Sequence, residues 1–260
     1  MLELYHWEPN ANSGKPMLAL AEKGVAYESH YVDLLQMDQH KPEYLAINPD
    51  GTIPTMVHDG RVLTESTPIM EYVDAMFDGP PLRPADPKER WRMRWWMRFF
   101  DAYFAPSVSM IGWNVFVGPM ARNRDPEEMK AAIEKIPLES RRVAWRKALF
   151  NEFTEEELAE SRRRTAFSIG VLEDHLTKHK FIAGDTYTLG DINAFNLAYA
   201  LPFSQADHCN DEKTPKIMAW LRWIYARPAT KETWAKGRTQ LAERLKLLEP
   251  QNQAREGGRS

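Results

Sequence analysis

Seven residues divide this chain. Asp78-Gly79-Pro80-Pro81-Leu82-Arg83-Pro84 contains three prolines. Each fixes its own φ and pushes the residue before it out of the helical region, so no helix continues through the segment. The two sides read differently. Residues 1 to 78 mix short alternating runs with short helical ones, whereas nearly everything after Pro84 follows helical period. A chain of 260 residues, 43% of them hydrophobic, has apolar material for two cores. The division predicts an α/β domain over 1–78, a linker over 79–85, an all-α domain over 86–250 and a polar tail over 251–260.

In the first part, Leu2-Glu3-Leu4-Tyr5 predicts a strand, His6 to Ser13 a loop, and Gly14 to Lys23 a helix that stops at Gly24. Tyr27 to Leu34 predicts a second strand, and two short runs around His58-Asp59-Gly60 predict a hairpin. Ser66 is expected to cap the next helix, with Pro68 in its first turn. Beyond the linker the pattern predicts an aromatic helix over about 86–117, a charged helical stretch over 126–164 and a helix over 165–179. Thr188-Leu189-Gly190-Asp191 has capping-box spacing and precedes a helix over 192–201. Two further helical runs are expected over 215–226 and 230–248, with Pro228 interrupting between them.

Charge and cysteine content narrow the function. Against 37 Asp and Glu stand 34 Lys and Arg, a net charge of −3, which gives no long-range field toward nucleic acid or an anionic membrane. No stretch reaches the roughly 20 apolar residues that span a bilayer, and the N-terminus lacks a secretion-signal pattern. These features predict a cytoplasmic protein with a small-molecule or protein partner. Cys209 is the sole cysteine, so the chain has no CxxC pair and no multi-cysteine zinc site, and no metal is expected. Thiol chemistry here would use a thiol brought by a co-substrate.

Four features of the first part form a set. Asn12-Ser13-Gly14 stands where a strand gives way to a helix. There the free N–H groups and the dipole favour an anion such as a thiolate, and Ser13 either caps the helix or donates to that anion. Ile53-Pro54 precedes a strand; a cis bond there would leave backbone groups of Ile53 for another peptide, and a trans bond would make an ordinary turn. Glu65-Ser66 at a helix start suits an ammonium beside a carboxylate, or is simply a capping pattern. His40-Lys41 would pair with a second carboxylate, or is a solvated charged pair.

In order and spacing the set resembles the cytosolic glutathione transferases. Ser near the first helix, Asn48-Pro49-Asp50-Gly51-Thr52-Ile53-Pro54, then Glu65-Ser66, a Pro-rich linker and an all-helical second part are shared with that family. The resemblance implies a thioredoxin-like glutathione-binding domain followed by a helical substrate-binding domain. It also implies glutathione as co-substrate, and a homodimer or a heterodimer with a related chain. Ala11 to Pro16, Thr64-Glu65-Ser66-Thr67, Ser109-x-Ile111-Gly112-Trp113 and the long segment over 126–164 look most like the bacterial β-etherases. That subgroup cleaves β-aryl ethers of lignin-derived aromatic α-ketones. Asp50 and Thr52 depart from it where Arg and Gln are usual, which implies fewer or more repulsive contacts to glutathione.

By this resemblance Ser13 and Asn12 would hold the thiolate, and His40, Lys41, Ile53, Pro54, Glu65 and Ser66 would hold the rest of glutathione. Trp7, Tyr103, Ser109, Met110, Trp113 and Phe116 would line the aromatic pocket. Two alternatives remain open at this stage: a general transferase that conjugates electrophiles, and a weakly catalytic subunit of a heterodimer.

Overall fold

The computed structural model describes residues 1–239 and Leu248. Four strands, β1 (Leu2–His6), β2 (Glu28–Tyr31), β3 (Thr55–His58) and β4 (Arg61–Thr64), form one sheet in the order β2-β1-β3-β4. β1 and β2 run parallel, joined through helix α1 (Ala11–Lys23), β3 pairs antiparallel with β1, and β4 pairs antiparallel with β3. The alternation in β1 aims Leu4 and His6 into the core, where Leu4 sits opposite Met56. The β3–β4 hairpin closes on Asp59 and Gly60, both at positive φ, the two-residue turn that matches strand twist. A short helix α2 (Pro42–Leu45) precedes β3, and α3 (Ser66–Met76) follows β4 and packs on α1.

Several boundaries differ from expectation. α1 begins at Ala11, three residues before Gly14, because Ala11 takes φ 46° and turns the chain abruptly out of the loop. Asn12 and Ser13 therefore occupy the first turn. Gly14 is needed there, since a Cβ would stand 2.0 Å from Asn196 Oδ1 and 2.7 Å from the Pro9 carbonyl oxygen. Ser66 is the first residue of α3 and not its cap; Glu65 holds the cap position at φ 69° and ψ 112°, outside the usual regions for a side-chain-bearing residue. The second strand covers only 28–31 of the expected 27–34.

The linker region is irregular, and Asp86 caps α4 (Pro87–Phe99) by accepting from the amides of Lys88 and Glu89. The aromatic helix then continues past 117 through a π-helical turn (Phe100–Phe104), α5 (Ala105–Gly112), a second π-helical turn (Trp113–Val117) and α6 (Gly118–Arg122). The charged stretch is three helices, α7 (Pro126–Glu134), α8 (Glu139–Phe150) and the first half of α9 (Glu155–Lys178). No break falls at 164/165, where one had been expected; the breaks come at Pro137 and at Asn151, which adopts positive φ. α7 and α8 close a small second core of Ile133, Ile136, Trp145 and Leu149, into which Met37 of the N-terminal region inserts.

α10 (Leu189–Ala198) starts at the expected capping box: Thr188 and Asp191 bond reciprocally, and buried Asp191 also accepts from the Ile182 amide and Trp220 Nε1. It ends three residues before 201, and the short helix α11 (Leu201–Ser204) follows. α12 (Pro215–Tyr225) matches expectation, whereas Pro228 opens α13 (Pro228–Trp234) instead of separating two runs. The helical run expected beyond Thr239, apart from Leu248, and the tail over 251–260 lie outside the described residues. Cys209, though it stands among the polar residues Asp207, His208 and Asn210, is fully buried in the helical core, and burial pushes its thiol up to about 11.

The sheet and the helices share one hydrophobic core and are joined by polar contacts. Arg227 and Glu22 form a two-armed ion pair at 2.6 Å. Lys15, buried in α1, donates to Asp101 at 2.8 Å, and Asp101 also accepts from Thr67 and Asn193. Buried ion pairs of this kind hold geometry more than they add net stability.

Candidate functional site

A cleft of about 730 Å³ lies between the two regions. Its N-terminal wall consists of the β1–α1 loop, the first turn of α1 and the loops carrying Gln39, His40 and Gly51–Ile53; its helical wall comes from α5, the second π-helical turn, α8 and α10.

At the first turn of α1 the Asn10 side chain caps nothing and donates instead to the Tyr199 hydroxyl at 2.7 Å. The Asn10 carbonyl accepts from Gly14 N, so the first-turn amides before Gly14 carry no side-chain cap and point to the helix end, where the dipole favours negative charge. Ser13 Oγ accepts from the Trp7 amide at 3.1 Å, which leaves the hydroxyl proton to donate elsewhere. Ser13 is buried and Asn12 is exposed; both line the cleft. This arrangement can accept a small anion against several donors at once, and a thiol held there is shifted toward thiolate.

Beside it, Ile53-Pro54 is cis, as one of the two sequence readings had it, and Ile53 lines the cleft. Neither backbone polar group of Ile53 makes a hydrogen bond among the described residues. The loop is fixed from behind: Asn48 Nδ2 donates to the Thr52 carbonyl and to Thr55 Oγ1, and the Tyr44 hydroxyl donates to the same carbonyl at 2.6 Å. Three side-chain atoms on this wall, Trp7 Nε1, Gln39 Oε1 and His40 Nδ1, are buried without partners. The unpaired backbone groups of Ile53 at the cleft fit a peptide-like ligand such as glutathione. Burial together with the charge of Arg141 brings His40 down to about 4, so its ring is neutral at neutral pH.

The remaining residues proposed from sequence are dispersed. Lys41 is exposed and paired with Asp38, and it does not line the cleft. Glu65 and Ser66 lie at the start of α3, outside the cleft lining, near enough to Lys15 for the Glu65 carboxylate to favour its charge. Trp7, Ser109, Trp113 and Phe116 line the cleft, whereas Tyr103 and Met110 do not. Tyr103 faces the other side of the helix, stacked on Phe99 at 5.5 Å with the Arg164 guanidinium 4.5 Å from its ring. The split follows helix spacing: Ser109, Trp113 and Phe116, four and three residues apart, share a face, Met110 is turned about 100° from Ser109 in α5, and Tyr103 lies in the preceding π-helical turn.

Sequence reasoning passed over Asn10, Arg141, Trp145, Asn196, Tyr199 and Thr239, all of which line the cleft. Thr239 is drawn there by Glu8, a buried carboxylate in the first loop that accepts from the amides of Arg238 and Thr239. The aromatic motif around Trp113 pointed to this wall; nothing local in the sequence marks the others.

Comparison with known proteins gives this geometry its family. The glutathione S-transferase N-terminal domain model matches residues 11–76, and the glutathione S-transferase C-terminal domain model matches residues 104–228. The chain belongs to the glutathione S-transferase family. It is 40% identical to Protein LigF of Sphingobium sp. strain SYK-6 over 97% of this chain and 98% of that protein. The crystal structure of beta-etherase LigF from the same strain superposes with a TM-score of 0.87, covering 91% of this chain and 99% of that one. Glutathione S-transferase F10 of Arabidopsis thaliana is 30% identical over 87% of this chain and 93% of its own length.

Proposed function

We propose that this chain is a glutathione-dependent β-etherase acting on lignin-derived aromatic α-ketones. The single observation that carries the reading is the opposition, across one cleft, of an uncapped helix start bearing Ser13 and an aromatic wall bearing Trp113 and Phe116. The 40% identity to LigF over nearly the whole chain supports it. Ser13, Asn12 and the first-turn amides hold the thiolate of glutathione; Ile53, at the cis Pro54, pairs with its peptide backbone; Glu65 and Ser66 take its α-amino acid end; and His40 lies toward its glycyl end. Lys41, turned to Asp38, contributes at most long-range charge. The thiolate displaces a phenolate from the carbon next to the ketone, forming a C–S bond as the C–O bond breaks, and the products are a glutathione thioether and a phenol. A phenolate with an ordinary pKa near 10 leaves without a strong general acid.

We also place the division of the chain at the linker, with 1–78 as the glutathione-binding domain and 86–250 as the substrate-binding domain, in a cytoplasmic dimer. The dimer reading rests on an exposed aromatic column: Trp95 stacks on Phe99 and Phe99 on Tyr103, with Trp91 67% and Phe167 59% exposed nearby. Surfaces of this kind mark association sites. Among the described residues no helix is long and apolar enough to cross a membrane.

The test follows phenol release from both enantiomers of a β-aryl ether ketone, with the α-hydroxyl analogue as control. Glutathione-dependent release from the ketone alone is expected. Equal release from ketone and alcohol would refute displacement activated by the carbonyl. Conjugation of a chloro-aromatic without any phenol release would leave a general transferase, and glutathione binding without turnover a noncatalytic subunit.

A further inference from the structure

Among the described residues lining the cleft, one side chain carries a permanent charge, Arg141. It lies near the start of α8, one turn before Trp145, so that both reach the cleft from the same helix face. The cations around it are engaged: Arg142 donates to the Ile136 carbonyl, Arg146 pairs with Glu152, and Lys147 with Glu157. The Arg141 guanidinium is exposed and has no such partner among the described residues. A lone guanidinium at an otherwise uncharged cleft is an anion receptor awaiting its anion.

Its position identifies the anion. His40 packs against Gly51 so closely that a Cβ there would be 2.5 Å from Nδ1, and the charge of Arg141 is felt at that ring. On the glutathione reading, an extended tripeptide with its α-amino acid end at α3 and its middle at Ile53 would run past Thr52 toward Gly51 and His40, which line the same cleft. At that end of the N-terminal wall Lys41 is paired with Asp38 and does not line the cleft, and Asp50 adds an exposed negative charge. Resting on the glutathione reading above, we propose that Arg141 of the helical region binds the glycyl carboxylate of glutathione across the cleft. The second wall thereby closes on the co-substrate as well as on the aromatic ether, and the extra helices of this region form part of the glutathione site.

The test is titration calorimetry on the full chain and on Arg141→Gln and Arg141→Lys, with glutathione and with its glycyl monoethyl ester, in which that carboxylate is neutral. The wild-type chain should prefer glutathione to the ester by about tenfold or more, the usual scale of a charge-assisted pair. Arg141→Gln should abolish the preference by weakening glutathione while leaving the ester unchanged, and Arg141→Lys should restore it in part. Equal weakening of both ligands, or undiminished preference in Arg141→Gln, would overturn the assignment, as would a loss seen only in KM for carboxylate-bearing aryl ethers. If the wild-type chain bound neither compound, the glutathione reading itself would fail.

Discussion

The two walls of the cleft are built on opposite plans. The N-terminal wall is polar and braced mostly by near neighbours: Ser13 is fixed by the Trp7 amide and the Ile53 loop by Asn48 and Tyr44, while Asn10 alone reaches across to Tyr199. Its groups are held in place by hydrogen bonds from behind and leave a few polar atoms open to the front. The helical wall is aromatic and apolar, carried on a helix interrupted by two π-helical turns and extended by α7 and α8. A polar wall of fixed donors suits a constant ligand, because each hydrogen bond demands one geometry. An aromatic wall suits variable ligands, since apolar contact tolerates changes of shape. The difference predicts that damage to the first wall affects every reaction alike and damage to the second changes which substrate is preferred.

The largest effect should come from removing the thiolate donors. Ser13→Ala alone should slow turnover only a few-fold, because Asn12 and the first-turn amides share the anion. With Asn12→Ala added, kcat should fall by about a hundredfold or more, by the measured scale for lost oxyanion donors. The thiolate absorbance of bound glutathione, titrated against pH, should show a raised thiol pKa in the double variant. A Ser13→Ala loss as large as the double loss would show that one hydroxyl acts alone, and the picture of shared donors would be wrong.

A smaller but still general effect is expected at Glu65. Glu65→Gln keeps the side chain's size and removes the charge that faces an ammonium, so glutathione affinity should fall about ten- to a hundredfold. The decrease should be the same whichever aryl ether is assayed. Unchanged binding by calorimetry would move the α-amino acid end of glutathione away from α3.

The smallest effect sharpens the contrast most. Trp113→Ala opens the aromatic wall, where Trp113 packs edge-on against Trp145 at 5.1 Å. The dissociation constant for glutathione should stay within about twofold, while the ratio of kcat/KM between a small and a large aryl ether ketone shifts about tenfold, the scale of one altered apolar contact. Equal losses for both ketones, together with weaker glutathione binding, would show the two walls to be one unit.

The first wall was the more legible in the sequence because its determinants are local. Ser13 beside Gly14 and Ile53 before Pro54 are each fixed by neighbours a few residues away, as is the capping box at Thr188 and Asp191 in the helical region. What escaped was long-range or a matter of phase. Asn10 looks like an ordinary cap, and only the fold brings Tyr199 to take its side chain. Lys41 and Asp38 are close enough to pair, but His40-Lys41 alone does not say which partner wins. Tyr103 and Met110 sit on the same aromatic helix as Ser109, Trp113 and Phe116, and composition alone does not say which of its faces meets the cleft. Arg141 is one of many charges in a charged run, and its lack of a partner among the described residues is a property of the folded molecule.

Each π-helical turn amounts to one surplus residue in the helix, and this sets a rule for how the cleft can change. At about 3.6 residues per turn, one residue corresponds to a rotation of about 100°. Deleting a single position within 100–104 would remove the surplus, return that turn to ordinary helix and leave the downstream side chains facing as they do now, whereas the same deletion within 105–112 would swing everything downstream about its own axis. Among related chains, the gain or loss of one residue at these two places would therefore leave the aromatic lining as it is, and the same change elsewhere in the helix would replace it without a substitution at the lining itself.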